Sequence, residues 1–327
     1  MAGAMTQAEP LGVVADIGGT NARFATVVRD ADGRLQPQDH RTLRTADHPS
    51  FESAYQAFAS GLAQAPGRAV FAIASPIVGD EIKMTNSPWV LRPSTLAARL
   101  GLDEVRLIND FEAIARSVAV IPPAQFRGLG GKAFVLPGDG VVSIVGPGSG
   151  LGVALLVRDG GRDRVIPCEG GHSGFAPADE IDIHILRFVS ERYPRVSAER
   201  LISGPGLVQI YIALAELEGR AIVPPHTVTL WESALSGSDP HAVAAAERWL
   251  MLLGSFAGDM ALSHGAAAVA LAGGILPRFG DRLEEGPLLG RFRAKGRFEA
   301  LMHRIPIALV THPEPGLLGA ATLLEAR

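Results

Sequence analysis

Two glycine-dense turns carry the first sign of chemistry. Gly18 and Gly19 interrupt an apolar run (LGVVAD, 11–16) that resumes as RFATVV at 23–28. Gly148 and Gly150 interrupt a second run of the same kind, VVSIVGPGSGLGVALLV at 141–157. Each turn holds a hydroxyl, Thr20 in the first and Ser149 in the second, and Asp16 precedes the first. Glycine permits positive φ and lets successive backbone N–H groups converge on an anion at close range, so such a turn suits phosphate oxygens. A plain hairpin uses glycine too, but recurrence in both halves, each time with a hydroxyl, favours phosphate. A carboxylate beside a phosphate repels it unless a divalent cation stands between. Asp16 is therefore a candidate for Mg²⁺, held through water, with a turn-stabilising role as its other reading.

The better-known nucleotide loops are excluded. No G-x-x-x-x-G-K-[ST] occurs in the chain. The glycines of GPGSGLG stand at 146, 148, 150 and 152, out of register with a dinucleotide fingerprint, and a strand-like VALLV follows where that fingerprint needs a helix. Asp110 ends the short apolar run VRLIN (105–109), the place where an open α/β sheet presents ligand groups. It reads equally as a general base or, with Asn109, as the cap of the helix that begins at Phe111.

The elements that must position these residues follow from periodicity. Strands are predicted at 11–16, 23–28, 69–75, 105–109, in the 141–157 hairpin and at 269–275. Helices are predicted over 49–65, 111–120, 179–193, 206–219 and 240–264, the last opened by Asp239-Pro240, and at the C-terminus from Pro315. VIPCEGGHSGFAP reads as a loop, and the Pro/Gly-rich stretch 121–140 as a crossing between domains. The repeated hairpin hints at an internal duplication. A chain of 327 residues exceeds what one core usually encloses. A net charge of −4 gives no basic excess for nucleic acid, and one cysteine, Cys168, allows neither an intrachain disulfide nor a cysteine-based zinc site. The first ten residues lack the order of a signal peptide, and no apolar run reaches membrane-spanning length, so a cytoplasmic protein is expected.

Taken together, ADIGGTNARFA (15–25), MTNSPW (84–89), LINDFEA (107–113), GPGSGLGVA (146–154), EGGH (169–172), SAERLISGPGL (197–207) and LAGGI (271–275) resemble the bacterial glucokinases. That family belongs to the superfamily of hexokinase, actin and the heat-shock-70 ATPases. The single cysteine matches its zinc-free branch. Ser149 stands where the family usually carries Thr, with the hydroxyl kept. The resemblance implies a two-domain α/β actin-like ATPase (ribonuclease-H-like) fold with an interdomain cleft. A small domain would comprise 1–120 plus 313–327, and a large one 121–312. It implies ATP-dependent phosphorylation of glucose with Mg²⁺, and a homodimer. On sugar binding, the cleft is expected to close and exclude water.

The resemblance also assigns residues. Asp110 becomes the catalytic base. Asn109, Asp110, Glu169, His172 and Glu199 become sugar ligands, a set of carboxylates and amides suited to a ring of hydroxyls. Without it Glu199 reads as an exposed helix-end charge, while His172, flanked by glycines, does not read as a core residue. Ala15, Asp16, Ile17, Gly18, Gly19, Thr20 and Asn21 would face the nucleotide, as would Gly148, Ser149 and Gly150. Gly273 and Gly274 would lie on the adenosine side, their alternative being a strand end packed on a helix. Ser75-Pro76 and Asn86 are lesser candidates near the sugar. Rival readings on the same scaffold are a kinase for mannose, fructose or a hexosamine, and a non-catalytic sugar sensor. The sensor is disfavoured by the acidic charge, the lack of a helix-turn-helix extension and the intact Asp110.

Overall fold

The computed structural model describes residues 9–64, 66–84, 87–284 and 286–325. Asn86 lies outside the described residues. The chain divides into two compact units, one running to Val120 and resuming at Pro313, the other spanning Ile121–His312.

The first unit is built on β1 (Gly12–Ile17), β2 (Asn21–Arg29), β3 (Leu35–Arg44), β4 (Arg68–Ile73) and β7 (Glu104–Asn109), in the order β3-β2-β1-β4-β7. A two-stranded ribbon, β5 (Ile82–Lys83) with β6 (Val90–Leu91), lies outside that sheet. β1, β2 and β3 form an antiparallel meander, while β4 and β7 run parallel to β1. The strand period of two sorts β1 cleanly. Val13, Ala15 and Ile17 join a core with Phe24, Phe51, Phe58, Phe71 and Trp89, supplied partly by α1 (Phe51–Ala59) and α2 (Pro93–Leu100). Val14 points to the opposite core, which contains Ala113 of α3 (Asp110–Val120).

The second unit repeats the plan. Its sheet contains β8 (Phe126–Gly128), β9 (Gly140–Pro147), β10 (Leu151–Asp159), β11 (Arg162–Cys168), β12 (Ala266–Leu271) and β13 (Ile307–Val310), ordered β11-β10-β9-β12-β13-β8. Again an antiparallel meander is followed by two parallel strands, so both units read third-second-first-fourth-fifth, and β8 adds an antiparallel edge. The duplication hinted at by the glycine hairpins is therefore one of whole sheets. The helices of this unit are α4 (Glu180–Ser190), α5 (Gly206–Leu217), α6 (Thr227–Ser236), α7 (Pro240–Ser263), α8 (Pro287–Arg293) and α9 (Glu299–Met302). Asp239 caps α7 by accepting the His241 N–H at 2.9 Å, with Pro240 at the first helical position, as the sequence predicts. Trp231 and Trp249 meet edge to face in the core, their indoles donating to the carbonyls of Gly204 and Ser203.

One expectation fails: the VIPC part of the predicted loop is the end of β11. The 121–140 stretch begins where the second unit begins and also carries the short strand β8. The chain then returns to the first unit as α10 (Pro315–Ala321), whose Leu317, Ala320 and Ala321 fill the core beside Val14 and Ala113. No helix among the described residues is long and apolar enough to cross a membrane.

Candidate active site

In the first unit, parallel strands deliver the predicted residues to one edge. Ile17 pairs with Ile73, and Ile73 with Asn109, so the three strands β1, β4 and β7 end level with one another. The Gly18 turn and the Asn109-Asp110 corner thus emerge at the C-terminal edge, where α/β sheets present ligand groups. Ala15 and Ile17 are fully buried in the core, so their side chains support the turn from beneath and are closed to a ligand. The turn itself is closed by the Gly18 N–H donating to the Asn21 carbonyl at 2.9 Å. Thr45 braces it, donating its hydroxyl to the Gly19 carbonyl at 2.6 Å and its N–H to the Thr20 carbonyl at 3.0 Å. Thr20 is exposed and Asn21 half-buried.

Asp16 lies opposite Arg23 across the β1–β2 ladder, with a guanidinium nitrogen 3.4 Å from its carboxylate. Its side chain keeps 28% of its surface accessible. The surroundings are nonetheless dense enough that burial pushes its pKa above 3.8. Arg23 opposes that shift, and the carboxylate of Glu314 adds to it. A methyl group on Gly316, at the start of α10, would stand 3.0 Å from the Asp16 carboxyl carbon, so glycine there lets α10 pack closely against the carboxylate. No group of three or more His, Cys, Asp or Glu side chains placed to hold a metal ion occurs among the described residues. One desolvated carboxylate, with a second nearby and no further protein ligands, fits Mg²⁺ bound mainly by water and phosphate oxygens.

The corner at 109–110 resolves the capping question. Asn109 is the cap: its Oδ1 accepts the N–H groups of Phe111 (2.8 Å) and Glu112 (3.2 Å). Asp110 occupies the first helical position, and its Oδ1 accepts the Phe111 N–H at 2.8 Å. With Oδ1 of Asn109 spent on the helix, its amide NH₂ is the end suited to a substrate. Asn109→Asp keeps the cap and removes those donors. The expected result is a folded protein with stability within about 0.5 kcal/mol of the parent's and a glucose KM raised about tenfold. A glucose KM equal to the parent's would leave Asn109 a cap alone. Ser75 is buried and donates to the Lys83 carbonyl at 2.9 Å, which commits its hydroxyl to the fold.

In the second unit the remaining residues gather around one turn. The Gly148 N–H donates to the Gly150 carbonyl at 2.8 Å, and the Gly204 N–H donates to the Gly148 carbonyl at 2.7 Å. Ser149 is exposed at the tip. Glu199 accepts the Leu151 N–H through Oε2 at 2.9 Å, while its Oε1 lies 3.8 Å from Nε2 of His172. That nitrogen is 4.0 Å from a carboxylate oxygen of Glu169. Gly273 follows β12, parallel to β9, and has φ +114; a methyl there would collide with the Pro147 carbonyl. The paired glycines at 273–274 therefore abut the strand that leads into the Gly148 turn.

One inference from composition needs correcting. None of Gly18, Gly19, Gly148 or Gly150 has positive φ; among the candidates only Gly273 does. What distinguishes Gly150 is close approach, since a methyl there would stand 2.5 Å from Oε2 of Glu199 and the carboxylate would have to swing away. At 148 a methyl would meet nothing within 4 Å. Sequence reasoning passed over Arg23, Thr45 and Gly204. Arg23 was visible, because a residue seven positions after Asp16 across a tight hairpin is its cross-strand partner. Thr45 and Gly204 are joined to their turns only through tertiary contacts.

Comparison with known proteins identifies the family. A sequence profile of the Glucokinase family matches residues 13–327. A glucokinase of Zymomonas mobilis is 46% identical over 311 residues, covering 94% of this chain and 96% of that one. The crystal structure of a glucokinase from an Antarctic psychrotroph superposes with a TM-score of 0.84 at 33% identity, over 98% of this chain and all of the other. A Balamuthia mandrillaris glucokinase crystallised with glucose shares the fold, with a TM-score of 0.79 at 22% identity over 96% of this chain and 93% of that one. The chain belongs to the glucokinase family, with its two-unit actin-like α/β fold.

Proposed function

We propose that the chain transfers the γ-phosphoryl group of ATP to the 6-hydroxyl of D-glucose, giving glucose 6-phosphate and ADP. The observation that carries this reading is the second unit's arrangement, in which Glu199, His172 and Glu169 line up beside the Gly148 turn. Acceptor-only carboxylates next to backbone N–H donors are what a polyol and a phosphate respectively require.

Phosphoryl transfer asks the protein for positioning, charge neutralisation and a base. In this proposal the Asp110 carboxylate takes the proton of the 6-hydroxyl as that oxygen bonds to the γ-phosphorus. The bond from phosphorus to the β–γ bridging oxygen breaks, and its electrons leave with ADP. Asn109, Glu169, His172 and Glu199 hold the other hydroxyls. The backbone of residues 18–21 and 148–150 holds phosphate oxygens, and the Gly273-Gly274 turn accommodates the nucleoside. Mg²⁺, associated with Asp16 through water, would neutralise phosphate charge. Family membership also favours a cytoplasmic homodimer, for which light scattering at twice the chain's mass is the check.

A coupled assay with ATP, Mg²⁺ and a panel of hexoses tests the reaction. The expected result is ATP-dependent turnover with kcat/KM for glucose at least about tenfold above mannose, fructose and N-acylated hexosamines, one charge-assisted hydrogen bond being worth that much. Preference for another hexose would replace glucose in this reading. Binding of sugar without turnover would identify a sensor.

A further inference from the structure

The proposed sugar carboxylate and the phosphate turn share an atom. Oε2 of Glu199 accepts the N–H of Leu151, the residue that leaves the turn, and lies 2.5 Å from where a methyl on Gly150 would stand. Its other oxygen faces His172. The same segment grips the turn a second time through the Gly204 N–H on the Gly148 carbonyl. Its backbone is fixed in turn by the two buried indoles that donate to Ser203 and Gly204. The turn is therefore shaped by residues 199–204, and the only one of these contacts made by a titratable side chain is the carboxylate of Glu199.

We infer that Glu199 couples the acceptor site to the donor site: it is a positioning residue for the phosphate turn as well as a sugar ligand. This rests on the reading of Glu199 as a sugar ligand. The physical basis is that one carboxylate has a limited set of lone pairs and one orientation. A hydroxyl bound at Oε1 fixes the plane of the carboxylate, and so fixes the direction in which Oε2 holds the Leu151 N–H. The neighbouring amides at 148–150 are then set for phosphate. Conversely, a phosphate on the turn holds Oε2 in place for the sugar. Linkage makes the effect reciprocal, and such couplings are typically on the order of 5–150-fold in affinity.

The crossed test uses a substitution in the phosphate turn and reads sugar affinity with no nucleotide present. In Gly150→Ala the new methyl meets the far end of a flexible side chain, so the protein folds and the Glu199 carboxylate swings away. Calorimetry should show glucose bound about ten- to hundredfold more weakly, the loss expected when a charge-assisted hydrogen bond is broken. It should also show that a non-hydrolysable ATP analogue no longer strengthens glucose binding as it does in the parent. Gly290→Ala in α8, whose methyl has open space, should leave nucleotide-free glucose affinity at the parent value. Glu199→Gln should weaken glucose and reduce the coupling. Parent-like glucose affinity in Gly150→Ala, with weakened affinity in Glu199→Gln, would overturn the coupling and leave the sugar ligand standing. Parent-like affinity in both would overturn the two together.

Discussion

Asp110→Asn is expected to lower kcat by on the order of 10²–10⁴-fold, the usual worth of a general base, while the protein stays folded and glucose affinity is largely kept. The argument rests on where the helix cap lies. Were Asp110 the cap, its loss would damage α3 and any drop in rate would be ambiguous. Asn109 instead holds the N–H groups of Phe111 and Glu112, and the amide oxygen of an asparagine at 110 can still accept from Phe111. The remaining cost is the loss of a negative charge in the first turn of a helix, about 0.3–1 kcal/mol. An amide has no basic lone pair for the sugar proton, so the chemical step alone should suffer. Saturating kcat, Tm and glucose Kd should be measured on the same preparation. A variant that keeps most of its kcat would return Asp110 to a purely structural role.

The residues show why some of this was legible in the sequence and some was not. Strands buried on both faces, such as β1 (GVVADI) and β4 (RAVFAI), announce themselves by apolar density, and their glycine turns by composition. Helix α7 was marked by its cap. By contrast β3 (LQPQDHRTLR) and β11 (RDRVIPC) are largely exposed and polar, and become strands only because β2 and β10 offer them a ladder. β8 is three residues long, too short for any period. The site divides in the same way. Residue types within one motif could be read, but the contacts that join motifs belong to tertiary packing. Thr45 beneath the first turn, and Glu199 on the Leu151 N–H, are separated from their partners by about the length of an element or more. What Gly150 makes room for was hidden for this reason. Composition shows that glycine is there, and only packing shows that Glu199 is what it makes room for.

Asp16→Asn should stabilise the protein at neutral pH and at the same time remove most of its activity. Burial raises the Asp16 pKa in the folded state, Arg23 offsets this only in part, and Glu314 adds to it. A carboxylate with a raised folded pKa binds protons more readily folded than unfolded. Stability therefore falls as pH rises from the ordinary value near 3.8 through the raised one, and the penalty is complete above it. This is the reverse of the usual salt-bridged Asp. Asparagine is close in shape and uncharged, and the Arg23 side chain it leaves behind is 46% exposed, so little is lost there. The Tm of Asp16→Asn, measured without Mg²⁺, should exceed the parent's at pH 7. The difference should shrink as pH falls through the raised pKa toward 3.8. The charge that burdens the empty fold is the one that draws a cation to the phosphates. Removing it should cost several kcal/mol of transition-state stabilisation, or about 10²–10³-fold in kcat/KM for ATP. A less stable variant with full activity would mean that Asp16 serves the hairpin and Arg23. A more stable variant with full activity would mean that its charge is a burden the reaction does not use.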